Sequence, residues 1–129
     1  MLKRQNSGSY ASGLIKRMVE WAGCHANERS QFGQKLSNFE LIRDKILTLN
    51  CEAYALESAS VLICGQESSS VESSILKVYS SECLWRAASE CLQVFGGLGY
   101  MKDYPYERVL RDSSLCLVDV VRKFDLNSI

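Results

Sequence analysis

The sequence predicts an all-α protein, an up-and-down helical bundle, and three observations carry that expectation. Apolar residues recur at three-four spacing over long stretches, which places them on one face of a helix. The single proline is Pro105, so almost a hundred preceding residues are free of the strongest helix breaker. The interruptions are short and rich in Gly and Ser, as connections between antiparallel neighbours should be. With 129 residues, 47% of them hydrophobic, the chain can bury one core and hardly two.

The first helix is expected over about 12–28, with Leu14, Met18, Trp21 and His25 on one face. His25 ends that stripe and reads as a half-buried packing histidine, with Glu28 within reach as a hydrogen-bond partner. Arg29-Ser30-Gln31-Phe32-Gly33 breaks the pattern, and Ser37-Asn38-Phe39-Glu40 offers a capping box that restarts it. The second helix carries Phe39, Ile42, Ile46, Leu49, Ala53, Leu56, Ser60 and Ile63 without a slip, a bundle seam ending at Gly65. Ser69 to Glu72 is a second capping box, opening a third helix with Ile75, Val78, Trp85, Ser89 and Leu92 on its stripe, flanked by Tyr79, Ala88 and Phe95. Glu82 falls on that stripe and is expected to pair with a basic residue across the bundle. Three glycines among Gly96-Gly97-Leu98-Gly99 stop the helix, since each costs roughly 1 kcal/mol in a helix interior. A fourth helix starts at Tyr104-Pro105-Tyr106-Glu107, with proline at the favoured first position. No segment reads as a strand.

Fifteen basic and fifteen acidic side chains balance, which gives no electrostatic reason to expect a nucleic acid or an anionic membrane as partner. The six cysteines lie inside the periodic segments without a C-x-x-C pair, so they read as reduced, buried small hydrophobes; no metal site is expected. No apolar run approaches the ~20 residues of a membrane span, so membrane association is not evident. Met1 to Ser9 is basic but lacks the hydrophobic stretch of a secretion signal and is short for a mitochondrial transit peptide.

General site logic finds no metal cluster, no nucleophile–base pair and no phosphate-binding glycine loop. Three segments in register carry a more specific signal. They are Arg29-Ser30-Gln31-Phe32-Gly33, Leu92-Gln93-Val94-Phe95-Gly96-Gly97-Leu98-Gly99-Tyr100, and the run from Asp103 to Asp112. From roughly Asn6 to Leu115 the chain resembles the C-terminal helical domain of acyl-CoA dehydrogenases, most closely their very-long-chain branch. The resemblance implies a flavoprotein that forms the double bond of a fatty acyl-CoA, a glutamate taking the α proton and FAD the β hydride. It implies a mitochondrial location, oligomers of related subunits, and FAD contacts at a subunit edge. Arg29 would face the pyrophosphate as a fixed fork of donors, with Gln31 and Phe32 along the dinucleotide. Gln93, Val94, Phe95, Gly96 and Gly97 match the adenine-side contact, where the glycines leave backbone open. Phe39 and Glu40 fall at a weaker contact. Arg108, Arg111 and Asp112 read as packing and ion-pair residues.

The resemblance fails after Asp112. The family glutamate should fall at Val120, in Val118-Asp119-Val120-Val121-Arg122, with no glycine or threonine following. Asp119 is one residue away, which turns a side chain by about 100° on a helix, so it is not expected to serve as the base. Residues 1–112 are therefore expected to form an incomplete family bundle and 113–129 a divergent tail, with no catalytic residue in the chain. The expectation is a fragment inactive alone, holding FAD weakly if at all and exposing apolar faces that promote self-association. A second reading is a non-catalytic interaction module, pairing with full-length relatives or with respiratory complex I assembly partners, a role one member of that branch has.

Overall fold

The computed structural model describes residues 2–64 and 70–125. The elements are α1 (Leu2–Glu28), β1 (Ser30–Gln31), β2 (Gln34–Lys35), α2 (Glu40–Cys64), α3 (Ser70–Phe95), α4 (Gly97–Tyr100) and α5 (Tyr106–Asp125). The all-α bundle expected from the periodicity is what forms: α1 packs on both α2 and α3, and α5 packs on α3 and, through Tyr106, reaches Trp21 and Met18 of α1.

Small residues let these axes come close. Gly8 has no room for a side chain, because a Cβ there would lie 2.3 Å from the Ser60 hydroxyl and 2.9 Å from Leu76. The Ser7 and Ser80 hydroxyls hydrogen-bond at 2.9 Å, and the Ser12 hydroxyl donates to the Ala53 carbonyl at 2.9 Å. Around these contacts Ala11, Ile15, Met18, Ala22, Leu56 and Ala87 are almost completely removed from water. The α1 expectation caught one edge of this face. Its centre is Ala11, Ile15, Met18, Val19, Ala22 and Ala26, while Leu14, Trp21 and His25 flank it half-buried. The helix also starts ten residues earlier than expected, at Leu2.

The α2 seam is as the spacing predicts, with Leu49, Ala53, Leu56, Ser60 and Ile63 buried. Its start differs. Residues Leu36–Asn38 make a 3₁₀ turn, and Phe39, in extended backbone, accepts the Ile42 and Arg43 amides through its carbonyl. Ser37 lies inside the turn, so it lacks the extended backbone an N-cap needs. Gly65 and Ser69, the cap residue of the second box, lie outside the described residues, while Glu72 falls in the first turn of α3. By length and composition α2 is also apolar enough to cross a membrane, against the sequence expectation, because charges are sparse after Lys45; a third of its most apolar window is buried here.

For α3 the structure turns the expected stripe away from the core; of the residues expected on or beside it, only the flanking Ala88 and Phe95 are buried. The buried stripe is Ser73, Leu76, Ser80, Cys83, Leu84, Ala87, Cys91 and Val94. Ile75 is 63% exposed, Trp85 is 43% exposed, and Glu82 is exposed with no ion-pair partner among the described residues. Both stripes have three-four spacing on opposite sides of the helix, so periodicity does not choose between them. The smaller side chains go inside because they permit close approach to α1. The paired carboxylates between α2 and α3 are instead Glu52, with Arg86, and Glu90, with Lys45.

Two further corrections concern local structure. Ser30–Gln31 and Gln34–Lys35 form a two-stranded antiparallel hairpin where no strand was expected. Its two-residue turn, Phe32-Gly33, has positive φ at both positions (54° and 80°), the geometry that matches strand twist. The glycine run does stop α3, at Gly96 with φ 60°, but Gly97–Tyr100 then makes one helical turn of its own. Pro105 sits just before α5 and not within it, its carbonyl accepting the Val109 amide at 3.0 Å. On α5 the Arg108–Asp112 and Arg111–Glu107 pairs lie four residues apart, at 3.8 and 3.0 Å.

The cysteines divide. Cys83 and Cys91 are buried as expected, but Cys24, Cys51 and Cys64 are exposed and Cys116 is intermediate; all six are free thiols. Burial pushes the Cys91 thiol up to about 12 and raises Cys83 as well. In the folded protein a disulfide-exchange reagent at mild alkaline pH is expected to titrate Cys24, Cys51 and Cys64 first. Cys83 and Cys91 should react only on unfolding, and prompt labelling of either would contradict the α3 face described here.

Candidate functional site

The site is built where α1 ends. The Arg29 amide donates to the His25 carbonyl at 2.9 Å, finishing the helix, and the Arg29 carbonyl accepts the Leu36 amide at 2.9 Å, closing the hairpin. Arg29 is thus fixed at both its backbone groups while its side chain is exposed, with no ion-pair partner among the described residues. Opposite it, α3 ends in Val94 and Phe95, both buried, and the chain turns at Gly96. Between these segments lies an open cavity of about 440 Å³, lined by Arg29, Gln31, Val94, Phe95, Gly96 and Gly97, with His25, Leu36 and Leu98.

Six of the eight residues expected from the sequence therefore meet in one cavity, from segments more than sixty positions apart. Two do not line it. Phe32 is at the hairpin tip, 93% exposed and turned outward by its positive φ. Gln93 is exposed, its side-chain oxygen accepting from Lys45 Nζ on α2. Phe39 and Glu40 do not line it either. Among the described residues no carboxylate lines the cavity, a Cβ built on Gly96 or Gly97 would meet nothing within 4 Å, and the floor is apolar. A guanidinium, open backbone and an apolar wall suit a ligand that combines anionic oxygens with a flat heterocycle.

Leu36, Leu98 and His25 line the site without having been read as site residues. His25 stacks on Phe95, with ring centroids 4.1 Å apart and planes 17° apart, and this pair separates the cavity from a second one of about 310 Å³. The second is walled by Trp21, Tyr104 and Tyr106, with Glu28 at its side. Tyr106 anchors α5 here: it is 1% exposed, 4.3 Å from the Phe95 ring and edge-on to Trp21 at 5.9 Å. His25 packs as the sequence suggested, but no hydrogen bond joins it to Glu28. Burial, then the nearby Arg29 charge, holds its imidazole below the usual histidine range, and Glu28 opposes this. A depressed folded-state value means that stability is whole above the unfolded value near 6.5 and falls as pH drops from there through the folded value. Melting temperature is therefore expected to drop between pH 7.5 and 5.5, and a smaller drop in His25→Gln than in the parent checks that His25 contributes.

At the other end, α5 runs without interruption past Asp112 to Asp125. Residues 113–125 contain no glycine that would stop it. Val120 therefore lies on a helix, and Asp119 is exposed, about 20 Å along the axis from Tyr106 and the aromatic cluster. Among the described residues neither Asp119 nor any other carboxylate lines the cavity, and no group of three or more metal-ligating side chains occurs.

Comparison with known proteins agrees with this geometry. A family model of the acyl-CoA dehydrogenase C-terminal domain matches residues 1–116. The chain is 34% identical to the very long-chain specific acyl-CoA dehydrogenase, mitochondrial, of Bos taurus, over 88% of this chain and 19% of that protein. Butyryl-CoA dehydrogenase from Megasphaera elsdenii superposes with a TM-score of 0.78 at 26% identity, covering 88% of this chain and 30% of that one. An acyl-CoA dehydrogenase from Bacillus anthracis, solved in complex with FAD, gives 0.78 at 29% identity, covering 92% and 25%. The helices are thus those of the acyl-CoA dehydrogenase C-terminal domain, and the chain belongs to the acyl-CoA dehydrogenase family. It resembles the very-long-chain enzymes along nearly its whole length while spanning about a fifth of theirs.

Proposed function

We propose that this chain supplies the adenosine-diphosphate edge of an FAD site and subunit contacts, and that it does not itself dehydrogenate acyl-CoA. The observation that carries the first part is the meeting of Arg29 and Gln31 with Val94, Phe95, Gly96 and Gly97 around one cavity. Arg29 would hold phosphate oxygens through its fork of donors, Gln31 would reach a ribose or phosphate oxygen, and Val94 and Phe95 would back the heterocycle. Bound FAD would supply the hydride acceptor. That a relative was solved with FAD supports the choice of ligand. The absence of catalysis rests on Val120, a side chain that takes no proton, where the family resemblance expects the glutamate. Long-chain acyl-CoA and a mitochondrial setting follow for the assembled enzyme from the named very-long-chain relatives.

Titration of the chain with ADP and with FAD tests the site. Chemical-shift changes confined to residues 29–36 and 93–98, at millimolar ligand, are expected; shifts scattered elsewhere, or none, sink the reading. In the same sample, reduction of an artificial electron acceptor by palmitoyl-CoA would overturn the assignment of inactivity.

An interaction module is the second reading, and one observation favours it. The outer faces of α2 and α3 are apolar and uncovered, with Leu47, Tyr54 and Val61 on one and Val71, Ile75 and Trp85 on the other. Such a surface is more than scattered exposure and belongs at a protein contact. Self-association is expected across a sedimentation concentration series, and mixed oligomers are expected with a full-length very-long-chain relative. A strictly monomeric profile with no mixed species would remove this reading.

A further inference from the structure

We propose that the second cavity, beside the last turns of α1, binds a small molecule that carries a quaternary ammonium group. Trp21, Cys24, His25 and Glu28 line it from one face of α1, at spacings of three, one and three. Phe95 closes it from α3, and Tyr104, Pro105 and Tyr106 close it from the approach to α5. Four aromatic rings thus meet around about 310 Å³, from three separate segments of the chain. They do not stack on one another. Trp21 meets Tyr106 edge-on at 82°, and the Phe95 plane is inclined 43° to Tyr106 and 57° to Tyr104. Inclined rings stand as walls, and the negative face of an aromatic ring attracts a cation. Glu28 adds a counter-charge, and among the described residues no Lys or Arg lines this cavity. Arg29 lines the neighbouring cavity instead, beyond the His25–Phe95 pair. Trp21 already holds one cation: the Arg17 guanidinium lies over its ring, 5.1 Å from the centroid, and lines neither cavity. The Tyr106 hydroxyl is turned to the Met18 carbonyl, so that side chain offers its ring and not its oxygen. A methylated ammonium needs ring faces and a counter-charge without hydrogen-bond acceptors, which is what this lining supplies. The proposal stands on this cavity alone and does not depend on the cofactor edge.

Titration of the whole chain with choline, followed by NMR, tests the site. Choline is expected to bind with a Kd of about 1–10 mM. Shift changes should fall at residues 21–28 and 104–106, with cross-relaxation from the choline methyl protons to the Trp21 ring. The neutral isostere, with a tert-butyl group in place of trimethylammonium, should bind about fivefold to thirtyfold more weakly, the worth of the cation on the rings. Glu28→Gln removes an exposed charge and should weaken choline about twofold to fivefold while leaving the isostere unchanged. Trp21→Leu keeps apolar bulk but removes a wall, and should weaken choline about tenfold. No choline binding in the tens-of-millimolar range, or equal binding of choline and the isostere, overturns the proposal. Both results are read on the parent chain, whether or not a variant folds. A trimethyllysine peptide that binds far more tightly than choline would overturn the assignment to a small molecule. The ADP titration reads residues 29–36 and 93–98, so the failure of one site is told apart from the failure of the other.

Discussion

Replacing Arg29 by alanine is expected to weaken ADP binding by roughly tenfold to a hundredfold, a loss of about 1.4–2.8 kcal/mol. The magnitude is that of one or two charge-assisted hydrogen bonds removed from a site with no second permanent cation. Because the Arg29 side chain is exposed and makes no ion pair among the described residues, its removal should move the melting temperature very little. Lysine at the same position should recover only part of the affinity, since it carries the charge without the planar fork. Equal ADP affinity in Arg29→Ala and the parent would mean that the cavity does not hold the diphosphate.

The largest effect on stability is expected from Leu56→Ala, about 2–5 kcal/mol. Leu56 is wholly buried in the middle of α2, so truncation leaves a cavity lined by side chains of α1 and α3 that have nowhere to relax. Set against a typical domain stability of ~5–15 kcal/mol, that loss brings the midpoint of thermal or urea unfolding down sharply. Leu62, six residues on in the same helix, is 70% exposed, and Leu62→Ala should cost less than about 0.5 kcal/mol. Similar costs for the two would show that α2 is turned otherwise in the bundle.

The two leucines also show how legible the fold was. On α2 the seam from Phe39 to Ile63 was readable because one stripe is clearly more apolar and unbroken, and the buried positions fall on it. On α3 two stripes compete, and the one with Ile75 and Trp85 looks the better core by side-chain size. It is outside because helix axes approach where side chains are small, and Ser73, Ser80 and Ala87 are what α1 can accept at close range. That choice depends on the partner helix and is not encoded in the stripe itself. The hairpin went unread for a related reason: with two residues per strand there is no alternation to see, and Phe32 is an unusual residue to find at positive φ.

The candidate site divides along the same line. The motif wording of residues 29–33 and 92–100 pointed to the cofactor edge, and the chemistry of a guanidinium, an amide and open glycine backbone is already in those letters. That Arg29 and Gly96 would face one another across a cavity, with Leu36, Leu98 and the stacked His25 completing it, required the fold. So did the tie from Lys45 to Gln93. His25 carries no sequence signal beyond its place at the end of a stripe; its depressed basicity comes from burial beside Phe95 and from Arg29.

By itself, then, the sequence determined a helical bundle of the acyl-CoA dehydrogenase family, the residues of a possible FAD edge, and a valine where a catalytic carboxylate is expected. These are properties of residue type and spacing, which survive without knowledge of neighbours. Tertiary structure alone decided which side of α3 is core, which thiols are buried, and which six of eight site residues share a cavity. It also decided that α5 continues as helix through Val120. Those outcomes depend on how closely two helices can approach, and close approach is a property of pairs of surfaces, not of either sequence stripe alone.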